Sequence, residues 1–461
     1  MTKPLVVLNI VGLTYEMLGE RTPHLKRLAE EGFVRPMGTV LPAVTCSAQS
    51  TMLTGLLPRD HGVVGNGWYF RDTAEIRFWL QSNHLVKGER VYQTAKQRDP
   101  NYTTAKMFWW YNMYAPVEYS VTPRPSYPAD GRKVFDSYSQ PADLKNKLQE
   151  KLGVFPLFKF WGPTANIESS RWIADASIEV MRAQKPTLTL VYLPHLDYNL
   201  QRLGVSDSRI DQDISDIDTE AGRLIEAAKE QGAEVLVVSE YAITDVSQPV
   251  HINRVLREAG YLQTRHEILG WETLDAGASR AFAVADHQLA HVYVDRMEDL
   301  KPVATLLEKT SGIERVLDRQ AQEEFGIDHP HAGDLVVIAA PGAWFTYYFW
   351  LDDRLAPDYA RTVDIHRKPG YDPVELFVDP EIKLPMLKMA RRLLQKKLGF
   401  RYYMDMISLD AKLVKGSHGR LPAAGHEETE GPVLISSSRK IERDQIAMTD
   451  VKEMMLKLQF E

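Results

Sequence analysis

The chain has 461 residues, 44% of them hydrophobic and 25% charged, which is ordinary for a globular protein with a large core and room for a subdomain or insertions. The formal net charge of −7 argues against a nucleic-acid polymer as the partner. A single cysteine, Cys46, excludes an intramolecular disulfide and suits a reducing compartment.

The N-terminal part begins with a continuous apolar run at residues 4–11, typical of a parallel strand covered on both faces. The run is too short to span a membrane, and no small-residue cleavage site accompanies it. We therefore expect neither a membrane span nor a signal peptide, and we expect a cytoplasmic protein. A helix is predicted next, over residues 22–32, and a strand then leads to Thr45.

Residues 39–64 combine a strand end, a cluster of small polar residues and a short helix. The helix is predicted over residues 50–57 and ends at Gly55 and Pro58. A hydroxyl at the first turn of a helix lies beside unpaired backbone N–H groups, which favour an anion such as phosphate. Thr45 is thus a candidate nucleophile, with a helix cap as the alternative. For Cys46, we expect a small buried side chain and not a thiol nucleophile.

The middle of the chain alternates predicted strands and helices. Residues 103–112 form a buried strand, and residues 114–163 are rich in proline and aromatic side chains, which suits either a substrate-binding lid or a structural wrap. Strands at residues 187–204 and 233–241 both end in polar side chains. In open α/β sheets, ligands bind at the carboxyl ends of the strands.

The last third has a different pattern. Strand-like segments at residues 281–340 surround a predicted helix at residues 303–310. Residues 383–400 are basic and helical, and we expect a solvated face there. A glycine-rich turn at residues 414–420 precedes a strand at residues 431–437 that returns to the main sheet.

Four short segments resemble the alkaline phosphatase superfamily, in its nucleotide pyrophosphatase/phosphodiesterase branch. They are TPHLKRLAEEGF at 22–33, VTCSAQSTMLTG at 44–55, TGLLPRDHG at 54–62 and GSHG at 416–419. The resemblance implies an α/β fold, in which a central, mostly parallel sheet is flanked by helices and a small α+β subdomain is inserted. The implied catalytic core comprises residues 1–260 and 410–461, with the aromatic and proline-rich insertion at about 114–163. The subdomain and a connecting helix comprise residues 261–409.

The resemblance also implies a ligand set around the nucleophile, which aligns with Thr45 without a gap. The positions that match the family's metal ligands are Thr45, Asp197, Glu240 and His418. The positions that depart from it are Val11, Gln201 and Tyr241. A site with these departures could hold one divalent ion, expected to be zinc, whereas two complete sites are not expected.

Other side chains could act as substitute or supporting ligands. Asn9 lies two residues before Val11 and faces the same side of its strand by alternation. His195 precedes Asp197 by two residues, and His366 lies in a segment reminiscent of another family turn. Gln201 and Tyr241 complete this group. For each histidine, the alternative is a hydrogen-bonded structural residue.

The resemblance therefore predicts a metal-dependent phosphoric ester hydrolase of the phosphodiesterase or nucleotide pyrophosphatase type. In this hypothesis Thr45 forms a phosphothreonine intermediate with a small-molecule phosphate ester, and one metal ion assists. The alternative is a catalytically impaired family member that binds phosphate esters or acts as a scaffold. The substrate and the oligomeric state stay open.

Overall fold

The computed structural model describes residues 2–129 and 133–461 and has a large central sheet between helices. Its strands are β1 Leu5–Ile10, β2 Phe33–Pro36, β3 Gly67–Phe70, β4 Glu75–Phe78, β5 Thr104–Met107, β6 Tyr119–Pro123, β7 Ser137–Gln140, β8 Leu188–Leu193, β9 Glu234–Val238, β10 Thr244–Asp245, β11 Gln248–Val250, β12 Thr264–His266, β13 Glu272–Leu274, β14 Ala281–Asp286, β15 Leu289–Val294, β16 Ile313–Leu317, β17 Leu335–Ala339, β18 Ala343–Phe345, β19 Gly416–Ser417 and β20 Val433–Ser436.

The α-helices surround these strands. They are α1 Pro23–Glu31, α2 Thr45–Thr54, α3 Pro58–His61, α4 Val91–Arg98, α5 Leu144–Leu152, α6 Leu157–Phe160, α7 Ile167–Gln184, α8 His195–Leu203, α9 Ile210–Glu230, α10 Ile252–Glu258, α11 Met297–Glu308, α12 Arg319–Phe325, α13 Pro385–Lys397, α14 Glu427–Glu430 and α15 Val451–Phe460. The part of the chain that is described contains no helix long and apolar enough to cross a membrane.

The central sheet has eight strands in the order β2-β20-β9-β1-β8-β5-β6-β7. Strand β1 pairs in parallel with β8 and β9, and its six residues are all buried, as expected for a strand covered by helices on both faces. The pairs β9-β20, β2-β20 and β6-β7 are antiparallel. This architecture confirms the predicted α/β fold with a mostly parallel central sheet.

A second sheet has the order β14-β15-β17-β16 and is antiparallel throughout. It has its own apolar core, which includes Ala283, Val292 and Val337. The tight turn between β14 and β15 carries Asp286 and His287, both buried. Through this turn, the second sheet contributes side chains to the site described below.

The structure differs from the sequence-based expectations in three segments. Strands β6 and β7 extend the central sheet, so residues 114–163 are not wholly an insertion. The helix expected at residues 50–57 begins earlier, at Thr45. The strand expected at residues 187–204 ends at Leu193, and α8 follows it directly. In each case buried polar side chains lie at or within the misplaced segment, for example Thr122 in β6, Thr45 in α2 and His195 in α8, which apolar periodicity cannot reveal.

Candidate active site

Helix α2 carries Thr45 as its first helical residue. Val44 is the N-cap, with an extended backbone, so the Thr45 hydroxyl does not cap the helix. All ten residues of α2 are buried, and Gly55 ends the helix in the left-handed region with φ 70°. The side chain of Thr45 is therefore available for other contacts, although it is held at a buried helix N-terminus.

A chain of polar contacts runs from Thr45 to Asp197. The Thr45 Oγ1 atom lies 3.3 Å from the hydroxyl of Tyr241, which donates a hydrogen bond of 3.2 Å to Asp197 Oδ1. Burial, followed by the charges of Asp197 and Glu240, raises the pKa of Tyr241 well above its ordinary value, so its hydroxyl keeps its proton. Tyr241 therefore acts as a hydrogen-bond donor beside Thr45.

Asp197 sits in the first turn of α8 and is tied by a second donor. Gln201, one turn later, donates through Nε2 to Asp197 Oδ2 at 2.7 Å, and the Tyr371 hydroxyl donates to Gln201 Oε1 at 3.2 Å. Burial and then the charge of Glu240 raise the pKa of Asp197 to about 7, against the opposing effect of its hydrogen bonds.

His418 offers one free nitrogen to the site. Its Nδ1 faces the carbonyl oxygen of Ala43 at 2.7 Å and must donate to it, so Nε2 carries the lone pair. That Nε2 is buried, has no hydrogen-bond partner and lies 3.9 Å from Asp197 Oδ1. Burial lowers the pKa of His418 to about 3, which keeps the imidazole neutral and able to bind a metal.

Aromatic rings enclose His418 on both sides. The Tyr241 ring stacks on the His418 ring with centroids 3.5 Å apart. The centroid of the His287 ring lies 3.6 Å from that of the His418 ring. His287 also stacks on Tyr371 at 3.7 Å. Burial and the neighbouring His418 lower the pKa of His287 well below its ordinary value, so this imidazole is neutral as well.

Glu240 lies next to Thr45 in a separate group of buried polar side chains. Its Oε1 accepts hydrogen bonds from Asn9 Nδ2 at 2.6 Å and Gln49 Nε2 at 2.7 Å, whereas Oε2 is buried without a partner. Burial raises the pKa of Glu240 to about 7, and the hydrogen bonds from Gln49 and Asn9, together with the nearby Thr45 hydroxyl, oppose that rise. The carboxylate is thus a base of near-neutral pKa with one free oxygen.

The first turn of α2 is also anchored to the second sheet. Asn66 Oδ1 accepts the backbone N–H of Cys46 at 3.0 Å, and the backbone N–H of Asn66 donates to Asp286 Oδ2 at 2.7 Å. Burial raises the pKa of Asp286 to about 7. Sequence reasoning missed Asn66, Asp286, His287 and Gln49. The available signal was a polar pair, Asp286 and His287, that ends an otherwise apolar strand.

Cys46 packs as a small buried side chain. It is fully buried in an apolar cluster, and burial raises the pKa of its thiol well above the ordinary value. A thiol nucleophile needs the thiolate, which this environment disfavours.

Two of the expected substitute ligands lie outside this cluster. His195 begins α8 and so faces away from Asp197; its Nε2 lies 3.0 Å from Asp213 Oδ1. The side chains of His195, Asp213 and Asp216 offer ligand atoms within 4.8 Å of one another and can hold a metal ion. His366 is exposed and, within residues 2–129 and 133–461, makes no hydrogen bond or ion pair to the cluster.

Around Thr45, only the side chains of Asp197 and His418 are placed so that they suit a divalent ion. Asp197 and the free Nε2 of His418 face each other, but catalytic zinc sites in proteins have three protein ligands. Glu240 accepts hydrogen bonds from two amides and, among the described residues, does not form a three-ligand group with Asp197 and His418, so its role as a third ligand stays a prediction. Val11 has no metal-binding atom and the Tyr241 hydroxyl keeps its proton, so the expectation of one ion and not two stays a prediction.

The family model of type I phosphodiesterase / nucleotide pyrophosphatase matches residues 5–372, well over half of the chain. A comparison with curated proteins finds no match.

Solved structures of known proteins share the fold. Murine ectonucleotide pyrophosphatase/phosphodiesterase 5, an inactive variant in complex with AMP, is 15% identical, with a TM-score of 0.58 over 99% of this chain and 95% of that chain. Phosphonoacetate hydrolase from Sinorhizobium meliloti 1021, in complex with phosphonoformate, is also 15% identical, with a TM-score of 0.61 over 99% and 95%. The chain therefore belongs to the type I phosphodiesterase / nucleotide pyrophosphatase family of the alkaline phosphatase superfamily, and it is a hydrolase that acts on phosphoric ester bonds.

Proposed function

We propose that the protein is a phosphodiesterase of small-molecule phosphate esters that uses Thr45 as its nucleophile. One observation carries this proposal. The Thr45 hydroxyl at the start of α2 does not cap the helix, and it lies between the protonated Tyr241 and the carboxylate of Glu240, whose pKa is near neutral. That arrangement supplies a nucleophile, a proton acceptor and a donor to the developing negative charge.

Thr45, Glu240 and Tyr241 have different roles in the first step, the transfer of the phosphoryl group to Thr45. The free oxygen of Glu240 accepts the Thr45 proton as Oγ1 attacks phosphorus, and the ester alcohol leaves with its electron pair. Tyr241 then turns its single O–H from Asp197 to a phosphate oxygen and compensates part of the charge that a second metal ion would neutralise. In the second step water attacks the phosphothreonine and the P–O bond to Thr45 breaks, as Glu240 returns its proton to Oγ1. The proton released by the water balances the one that the departed alkoxide takes up from solvent.

Asp197 and His418 are the residues that would hold one divalent ion, and we propose zinc. Such an ion supplies Lewis acidity to a phosphate oxygen when it is bound. The neutral imidazole of His418, with its unpartnered Nε2, and the carboxylate of Asp197 at 3.9 Å support this assignment. Gln201 and Tyr241 orient the Asp197 carboxylate through their hydrogen bonds.

Aromatic side chains beside the site suit an organic leaving group. The Trp79 and Trp110 rings lie 4.8 Å apart, and Trp79 lies 6.0 Å from the Tyr371 ring. Trp110 also donates its backbone N–H to Gln49, which binds Glu240. We propose that these rings hold the leaving group by stacking or apolar contact, as a nucleoside base would allow.

Turnover of an aryl phosphodiester, such as a nitrophenyl nucleotide ester, tests the proposal. Thr45→Ala should lower kcat by at least roughly a hundredfold with the folded state intact, because the nucleophile is removed. Thr54→Ala is the matched control on the same helix, since its hydroxyl bonds only backbone groups, the carbonyl of Ser50 and the N–H of Leu56. Equal turnover of Thr45→Ala and wild type would overturn the assignment of the nucleophile.

A binding protein without turnover is the second candidate function. It is favoured by one observation, namely that no three-ligand metal group surrounds Thr45 among the described residues. Wild-type protein that binds AMP by calorimetry but turns over neither phosphodiesters nor monoesters, with zinc or manganese supplied, would select this candidate. Turnover that Thr45→Ala abolishes would exclude it.

A further inference from the structure

Helix α13 exposes apolar side chains to solvent. Two of its cations instead pair within the same segment, where Lys388 lies 2.9 Å and Arg392 3.0 Å from the carboxylate of Asp405. None of the helix residues is buried. The side chains exposed on and beside the helix, hereafter the α13 face, are Leu384, Met386, Leu387, Leu394, Leu398 and Phe400.

The exposure of the α13 face is large for a protein surface. Leu387 and Phe400 keep 64% and 65% of their side-chain area open to solvent, and Met386 keeps 74%. Apolar side chains scattered singly on a surface need no explanation, but a contiguous group of this size marks an interaction site. We therefore expect the α13 face to bind a partner.

The charge around the α13 face identifies the chemistry of that partner. Residues 382–404 contain seven Lys and Arg residues and no Asp or Glu, although the whole chain has a net charge of −7. Lys383, Arg391, Lys397 and Arg401 are exposed beside the apolar side chains. Apolar side chains flanked by cations match an anionic lipid surface, where the former enter the acyl boundary and the latter meet the headgroups.

A second copy of the chain fits this face poorly. In a symmetric dimer each face meets the same face of its partner, so the exposed cations Lys383, Arg391, Lys397 and Arg401 would approach the same cations of the other copy, with no acidic side chain of residues 382–404 between them. Spanning the bilayer is also excluded for α13, because it has 13 residues where about 20 are needed. The helix can lie on a membrane but cannot cross it.

Helix α13 lies in the segment between Val378 and Ile407, whose two ends pair with each other. Val378 and Ile407 pair in an antiparallel bridge at its base, and the Asp379 N–H donates to the Met406 carbonyl next to that bridge. Tyr371, which lies at the candidate active site, precedes this base by a short stretch of chain. We propose that the α13 face docks the protein onto anionic membrane surfaces.

Cosedimentation with lipid vesicles tests the proposal on the full chain. Wild-type protein should sediment with vesicles of phosphatidylcholine that contain phosphatidylglycerol, should bind pure phosphatidylcholine at least roughly tenfold more weakly, and should be released by salt. The double variant Leu387→Asp, Leu394→Asp should lose at least roughly tenfold in binding, because two anions replace apolar contacts at the headgroups.

A matched control places the same substitutions on another exposed apolar pair. Ile268 and Leu269 are 100% and 71% exposed between β12 and β13, so Ile268→Asp, Leu269→Asp should keep wild-type binding. Equal binding to neutral and anionic vesicles, or undiminished binding by the α13 variant, would overturn the proposal. So would a dimer in sedimentation velocity that the α13 variant dissociates, since the face would then belong to a second copy.

Discussion

At the scale of single residues, the site gathers acidic groups whose charge the fold disfavours. Asp197, Glu240 and Asp286 are all buried, and burial raises the pKa of each to about 7. These carboxyl groups bind protons more tightly in the native state than in the unfolded chain. Near neutral pH they can therefore exchange protons with a substrate or accept one from Thr45.

The raised pKa values predict how stability depends on pH. The native pKa of Glu240 is about 7 and its ordinary value is 4.5, so raising the pH through this window ionises the carboxyl in the native state at a free-energy penalty. The contribution of Glu240 to the unfolding free energy should therefore be highest below the window, fall up to about pH 7 and then level off, if no metal is bound. Glu240 alone accounts for about 3 kcal/mol of this fall.

Denaturant unfolding of chelator-treated protein from pH 5 to 8 measures this dependence. Glu240→Gln should flatten the curve, because the amide has no proton to lose in this range. Exposed Glu258→Gln is the control and should leave the curve as in wild type. The unfolding free energy of wild type relative to Glu240→Gln should fall over this range, and a difference that stays constant or rises would contradict the raised pKa of Glu240.

At the scale of elements, α8 separates two groups of potential metal ligands. His195 begins the helix and faces Asp213 and Asp216 of α9, whereas Asp197 faces His418. The sequence-based interpretation treated residues 187–204 as a strand, in which residues two apart share a side. In a helix, residues two apart point about 200° away from each other, so His195 and Asp197 serve different clusters.

Metal analysis of variants in α8 and its neighbours follows from this separation. We expect at most one ion at Thr45, so His418→Ala should remove that ion and turnover together. His195→Ala should leave turnover unchanged, because His195 does not touch the Asp197 cluster, and should remove only an ion held with Asp213 and Asp216.

Plasma emission spectrometry of protein purified without chelators gives the metal content of each variant. Val11→Asp with Tyr241→His should raise the metal content at the site by supplying the two missing ligands. Two ions per chain that both disappear in His418→Ala, with none lost in His195→Ala, would contradict the single-ion assignment.

At the scale of the whole molecule, the sequence predicted the architecture well and the contacts of the site less well. The apolar run of β1 and the motifs around Thr45 were enough to predict the central sheet and the start of the site. Tyr241 and His418 lie far apart in the chain, and their stacking at 3.5 Å depends on how two distant turns pack. Neither periodicity nor motif spacing contains that information.

The same limit explains the unforeseen exposure of apolar side chains on α13 and the missed residues. The basic pattern of residues 383–400 predicted a solvated helix, and α13 has no buried residue, but the pattern did not show that Lys388 and Arg392 pair with Asp405. Asp286 belongs to the second sheet and meets Asn66 only through the packing of that sheet on α2. Contacts between separately folded sheets are the part that a single sequence leaves undetermined.

The central claim is that Thr45 becomes phosphorylated during turnover. Its most direct measurement is rapid acid quenching of the enzyme with a nitrophenyl nucleotide ester, followed by mass spectrometry of the peptide that contains Thr45. The account predicts a phosphoryl-group adduct on Thr45 in wild-type protein, present in Thr54→Ala and absent in Thr45→Ala. Multiple turnovers without any adduct on Thr45, together with an adduct on another residue or undiminished activity of Thr45→Ala, would contradict it.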